Sequence, residues 1–423
     1  VAMPFMFLLL LLFTKLVIFR NLDEELVKVF KRAFLVKILY SVFYLILIVY
    51  YYHYYVDNIW FYNDVLALKA DAGVTWWSNL SDVFGFGTKQ ISATMMVSKL
   101  LYIVGYLCFF SFLSFTLLTT YMSFLGSWYI YKALVTRFPE LQKQLALPIL
   151  YLPSVTIWTS GITKDPFAIF GVGIAFYCLE KLLHFKSYRL KYALGLCLSL
   201  FILNSVRSYV FLAFIICYIL FRVMIHQYTR IASRTLKALL IVPALLVFAG
   251  VMAVGYQYLT SNTNSNLARF SIENVLTETQ FLQEIYKEGA GSSYDIGISD
   301  GTVGSIALMI PKGIVIALFR PFLWEYKGVL ALFTAFESFI LLIGTLYLLI
   351  RYHARFLSLL FSNNLVMFLF VYSSFTCGFI AITITNYGTL SRYKCAGILF
   401  YWAALVISKH LLQSPKASPS SSS

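Results

Sequence analysis

The sequence predicts an all-α protein, a polytopic transmembrane helical bundle of about eleven spans with interfacial or re-entrant helices on its outer face. Three observations carry this. Hydrophobic residues make up 60% of the 423 residues, with a mean hydropathy of +0.80, far from any soluble composition. Apolar runs of near-spanning length recur along the whole chain. The connections between them alternate between basic turns and polar or acidic ones, the alternation expected of a chain that threads a bilayer.

Taken in order, the first span is expected over 4–19, and its ending in Lys15 and Arg20 without a small-residue cleavage pattern reads as a retained helix. A basic turn (Arg20, Lys28, Lys31, Arg32, Lys37) precedes a span near 39–52. An outer loop of about 53–96 holds Asp57, Asp64 and Asp71, whose seven-residue spacing puts them on nearly one helix face. The run 97–131 is too long for one span, so its first part is expected in the interface and 110–131 across the membrane. Lys132, Arg137 and Lys143 make the next turn.

Apolar runs over 145–158 and 167–179 flank the corner LPSVTIWTSGITKDP, residues 152–166, where Lys164 and Asp165 sit between short connections. A charged pair so placed is a helix-end anchor or part of a site. Lys181, Lys186, Arg189 and Lys191 follow, then spans over 192–203 and 209–223 joined by a corner containing Arg207. A span over 238–256 leads to the longest polar segment, within an outer loop of about 257–326. Residues 305–318, interrupted by Pro311-Lys312-Gly313, read as a broken re-entrant or interfacial helix ending in Arg320 and Glu325. Spans over 329–350, 359–382 and 395–407 close a single transmembrane domain, 1–411, and the tail 412–423 reads as disordered.

Sidedness follows from the basic turns, which place the N-terminus outside and the C-terminus in the cytoplasm. On that assignment Asp57, Asp64, Lys164, Asp165, Arg207, Arg320, Glu325, Arg392 and Lys394 share the outer face. The net charge of +15 is thereby absorbed by topology, and nucleic acid is not an expected partner. Six isolated cysteines and five scattered histidines offer neither a disulfide framework nor a zinc site. Arginine and lysine gathered on one membrane face suit an anionic ligand, because the guanidinium fork matches phosphate. A carboxylate beside the membrane can serve as general base or metal ligand. Glu337, inside a span, is expected to face the bundle interior with a partner.

An acid outside an early span, the corner P-S-x-x-x-W-x-S-G-x-x-K-D at 153–165 and a late R-Y-K at 392–394 resemble bacterial membrane proteins of cell-surface polysaccharide assembly. More broadly they resemble the GT-C class of membrane glycosyltransferases. The resemblance implies a lipid-linked (polyprenyl-phosphate) sugar donor, a glycan or lipid acceptor, and a location in the bacterial inner (cytoplasmic) membrane among membrane lipids. It implies Asp57 as base or metal ligand with Asp64 as neighbour, and Arg392 and Lys394 as holders of the lipid phosphate. Asp165 joins the catalytic candidates, and Lys164, Arg207, Arg320 and Glu325 the substrate-binding ones. No DxD motif stands in the first outer loop, so a divalent cation remains an open cofactor. An O-antigen-type polymerase, a lipid-linked glycan flippase or transporter, and a non-enzymatic envelope subunit are the alternatives.

Overall fold

The computed structural model describes residues 2–54, 56–84, 92–185, 189–224, 294, 296–297, 303–325 and 329–413. Of these, 86% are helical and none forms a strand. Six helices among the described residues are long and apolar enough to cross a membrane: Glu24–Tyr50, Lys164–Leu183, Leu190–Arg222, Ala331–Ser362, Asn364–Ile382 and Cys395–Gln413. The chain is therefore a helical integral membrane protein. By length and composition the described spans number six, where the sequence leads one to expect about eleven. The expected span at 238–256, most of the long polar loop and the tail from 414 lie outside the described residues.

The chain divides into two compact units. The first comprises Val1–Leu212 and Ser391–Ala396, together with Gln257–Val275, which is not described. It holds α1 (Ala2–Phe13), α2 (Glu24–Tyr50), α3 (Asp57–Ala70), α4 (Trp76–Val83), α5 (Ala93–Gly105), α6 (Phe112–Arg137), α7 (Gln142–Leu150), α8 (Pro153–Trp158), α9 (Lys164–Leu179) and most of α10 (Leu190–Tyr218). Its axis is the pair α6 and α9. Gly126 and Gly173 make that approach possible: a Cβ on Gly126 would strike the Ile169 carbonyl, and one on Gly173 the Gly126 carbonyl. Small residues at such a crossing let two backbones touch inside a membrane.

Two expectations change here. The apolar run 145–158 forms two short helices rather than one span, α7 and α8, separated by Tyr151 and Leu152. Pro153 is the cause: it restricts Leu152 to an extended backbone (φ −62°, ψ 115°) and starts α8 afresh at its own first position. Lys37, read from sequence as part of a basic turn, lies inside α2 and is buried. The interfacial reading of 97–131 fares differently. The helix does break, over 106–111 with Phe109 and Phe110 at positive φ, and α6 begins at Phe112.

The second unit comprises Ala213–Tyr256, Leu276–Leu390 and Gly397–Ser423. Its described helices are α11 (Val303–Phe319), α12 (Val329–Ser362), α13 (Asn364–Thr383), the start of α14 (Tyr387–Tyr393) and most of α15 (Cys395–Gln413). The expected break at Pro311-Lys312-Gly313 is absent, since α11 runs through it. One missing N–H is tolerated in an apolar helix that packs well, and Gly313 packs closely enough on α13 that a Cβ there would sit 2.8 Å from the Gly378 carbonyl. Phe214, Tyr218, Phe368, Tyr372 and Phe400 interlock in the core of this unit. Glu337 is buried on α12, as expected of a carboxylate inside a span.

Candidate functional site

Four charged side chains from four parts of the first unit form one continuous ladder. Asp165 stands in the first turn of α9, where the helix dipole and unpaired backbone N–H groups favour a carboxylate. Its Oδ1 accepts from Arg207 Nη2 at 2.7 Å and its Oδ2 from Arg392 Nε at 2.6 Å. Thr163, just before the helix, donates its hydroxyl to the same Oδ2 at 3.3 Å. Arg392 then reaches outward, with Nη2 2.6 Å from Asp57 Oδ2 at the start of α3. The order is Asp57–Arg392–Asp165–Arg207, two carboxylates and two guanidiniums with no net charge.

Burial grades along the ladder. The side chains of Asp165 and Arg207 are 4% and 7% exposed, that of Arg392 15%, and that of Asp57 37%. Asp57 is thus the end that solvent and a ligand can reach. Tyr393 closes the inner end, its ring centroid 3.7 Å from the Arg207 guanidinium and 5.3 Å from that of Arg392. Arg207 Nη1 also donates to the Tyr209 hydroxyl at 3.2 Å. Burial alone would loosen the proton on Arg392, but Asp165 and Asp57 outweigh it and push the guanidinium above the ordinary arginine pKa. Arg392 is a fixed cation.

Arg207 comes where the sequence puts a corner, and the corner narrows to that residue. Inside α10 it alone leaves helical conformation (φ −143°, ψ 70°). This break turns its side chain toward Asp165, 42 residues earlier.

A second layer holds the corner before α9. Lys37 donates to the Thr156 carbonyl at 2.9 Å and to the Thr159 hydroxyl at 2.7 Å, and Ser123 donates to the Thr159 carbonyl at 2.8 Å. Asn58, next to Asp57, is fully enclosed and donates to the Tyr44 hydroxyl at 3.0 Å. Its Oδ1 has no hydrogen-bond partner and lies where a side chain on Gly161 would stand, 2.6 Å from that Cβ position. Lys37, Asn58 and Tyr393 are the residues sequence reasoning missed. For Lys37 the signal existed, a single lysine inside the apolar run FLVKILYSVF.

The remaining candidates are placed differently. Asp64 lies two turns along α3 from Asp57 and accepts from Ser98 at 3.4 Å, outside the ladder. Asp71 caps the end of α3 and accepts from the Gly73 amide at 2.8 Å, a local turn. Lys164 opens α9 half-buried, and Lys394 is buried between α14 and α15. Arg320 and Glu325 belong to the second unit and engage each other through two N–H groups, Nε to Oε2 at 2.9 Å and Nη2 to Oε1. Glu325 also accepts from the Phe322 amide at 2.9 Å and the Tyr387 hydroxyl at 3.4 Å. Hydrogen bonds from Arg320 hold the Glu325 carboxyl below its ordinary pKa. This pair is closed on itself. Among the described residues no three His, Cys, Asp or Glu side chains cluster as a metal site. Both ladder carboxylates are taken up by guanidinium groups.

The fold and the ladder together define a helical membrane protein with a buried, neutral carboxylate–guanidinium chain that ends in an accessible carboxylate. No family model matches the chain, and no curated protein or solved structure is significantly similar to it.

Proposed function

We propose that the chain is a membrane glycosyltransferase that moves a sugar from a polyprenyl-phosphate carrier to a glycan or lipid acceptor. On this reading it acts at the outer face of a bacterial inner membrane, with about eleven spans, the N-terminus outside and the C-terminus cytoplasmic. The observation that supports it is Arg392, pinned by buried Asp165 at Nε while its Nη2 faces Asp57, the most exposed member of the ladder. A carrier phosphate competes with Asp57 for that Nη2. When phosphate takes the guanidinium, Asp57 is freed as a base.

The acceptor hydroxyl then gives its proton to the Asp57 carboxylate as its oxygen bonds to the anomeric carbon. The bond from that carbon to the phosphate oxygen breaks, and the electron pair leaves on the phosphate, opposite the Arg392 charge. Asp165 and Arg207 keep Arg392 from following the leaving group. A polymerase of the O-antigen type is the second reading, favoured by one observation: Asp57 is ion-paired, so the arginines can be the essential groups without it.

Single-turnover transfer separates the two. Asp57→Asn keeps the shape but cannot take a proton, and loss of a general base costs about a hundredfold to ten-thousandfold in rate. Such a loss supports transfer with Asp57 as base. Full activity in Asp57→Asn with loss in Arg392→Ala favours the polymerase.

A further inference from the structure

About 24 Å along the same helix from Asp165, at the far end of α9 and its continuation, three lysines surround two tyrosine rings. Lys132 Nζ, near the end of α6, lies 5.7 Å from the Tyr177 ring centroid, and Lys181 Nζ lies 5.6 Å from the same centroid. Lys191 Nζ, at the start of α10, lies 5.0 Å from the Tyr192 centroid, and the two rings are 6.0 Å apart. Tyr129 packs on Tyr177 from α6 at 4.9 Å. Three elements therefore deliver three ammonium groups to one aromatic floor.

Among the described residues none of the three forms an ion pair with a carboxylate. The neighbouring acid, Glu180, is buried and turned to Arg137 at 4.0 Å. Asp23, before α2, acts on Lys132 only from a distance. Cation–ring contacts orient the lysines but do not offset their mutual repulsion. Snorkelling would spread the lysines separately to water, whereas Lys132 and Lys181, both half-buried, share the Tyr177 ring, and the exposed Lys191 lies over the adjoining Tyr192 ring. An anion among them removes the repulsion and uses ammonium donors that the protein leaves open.

We propose that Lys132, Lys181 and Lys191 form a second anion site, for a phosphate group held at the membrane boundary opposite the Asp57–Arg392 ladder. The shared chemistry is a phosphate group with uncompensated negative charge, from either an anionic lipid headgroup or a soluble phosphate. The tyrosine floor suits the glycerol or sugar portion next to it.

The test uses the full-length protein in neutral detergent, with thermal stability read as phosphatidylglycerol, phosphatidylcholine or inorganic pyrophosphate is added. The wild type is stabilised by phosphatidylglycerol or pyrophosphate and not by phosphatidylcholine. In Lys132→Gln/Lys181→Gln/Lys191→Gln the concentration for half-maximal stabilisation rises at least about tenfold. A shift with phosphatidylglycerol alone assigns the site to lipid, and one with pyrophosphate as well assigns it to phosphate itself. Two controls keep the reading sharp. Lys143→Gln, an exposed lysine on α7, retains the wild-type response. The triple Lys→Arg variant, which keeps the charges, also retains it, and loss of the response there counts against a site built on charge. No anion-dependent stabilisation of the wild type, or an equal one in the glutamine and wild-type proteins, overturns the proposal.

Discussion

Asp165→Asn isolates what the ladder does for the fold. The side chain is 4% exposed and accepts from two guanidiniums, at 2.7 and 2.6 Å. The amide has nearly the same shape, yet it removes the negative charge that Arg207 and Arg392 share. The ladder changes from neutral to one net positive charge, and its NH2 group now faces a guanidinium donor. Breaking a buried ion pair by removing one partner costs about 3–5 kcal/mol, because the other charge stays buried without compensation. That is a shift of roughly 10²- to 10⁴-fold in the folding equilibrium. Replacing Asp165 and Arg207 together by apolar residues of similar volume restores part of this, since buried pairs often exchange for hydrophobic ones at little net cost. Reversible denaturation in mixed micelles, followed by tryptophan fluorescence, measures both. If Asp165→Asn stays within about 1 kcal/mol of wild type, the value of an exposed pair, the ladder is not a buried electrostatic unit and the reasoning fails.

Other outcomes follow from the same geometry. Gly173→Ala forces α6 and α9 apart at the Gly126 carbonyl, so little folded protein should survive extraction, and wild-type yield would contradict the crossing. Glu325 is held below its ordinary pKa, so its contribution is complete near neutrality and is lost as pH falls through that lowered value. The difference in melting temperature between wild type and Glu325→Gln should close on acidification, and a pH-independent difference would count against the pair. Ala72→Cys, exposed beyond α3, should react with an impermeant thiol reagent on intact cells, and Gln144→Cys on α7 only after permeabilisation. The reverse pattern would invert the proposed sidedness.

Much of the local structure was legible because its causes are local. The start of α9 after Thr163 and the departure from helix at Arg207 fall where polar and turn-forming residues interrupt apolar runs, and the break before α6 falls inside an apolar run too long for one span. Asp57, Asp165, Arg207 and Arg392 could be picked out as charges that bland turns do not need. What no local pattern carries is pairing. Asp165 and Arg392 are 227 residues apart, and nothing in either neighbourhood says that Asp165, rather than Asp57 alone, holds the arginine. The equal spacing of Asp57, Asp64 and Asp71 puts them on nearly one helix face, yet they bond an arginine, a serine and a backbone amide in turn. The apolar run 145–158 misled because hydropathy is blind to Pro153, and Pro311 misled in the opposite sense, where close packing at Gly313 keeps the helix whole.

Carrier binding to two variants tests the central claim, that phosphate and Asp57 exchange on Arg392. Polyprenyl-phosphate affinity is measured on purified wild type, Arg392→Ala and Asp57→Asn. Removing the guanidinium should weaken binding by about 1.5–3 kcal/mol, the value of a charged hydrogen bond. Removing the competing carboxylate charge should leave binding intact or tighten it, even as turnover falls. Equal weakening in both variants, or no change in either, would contradict the exchange.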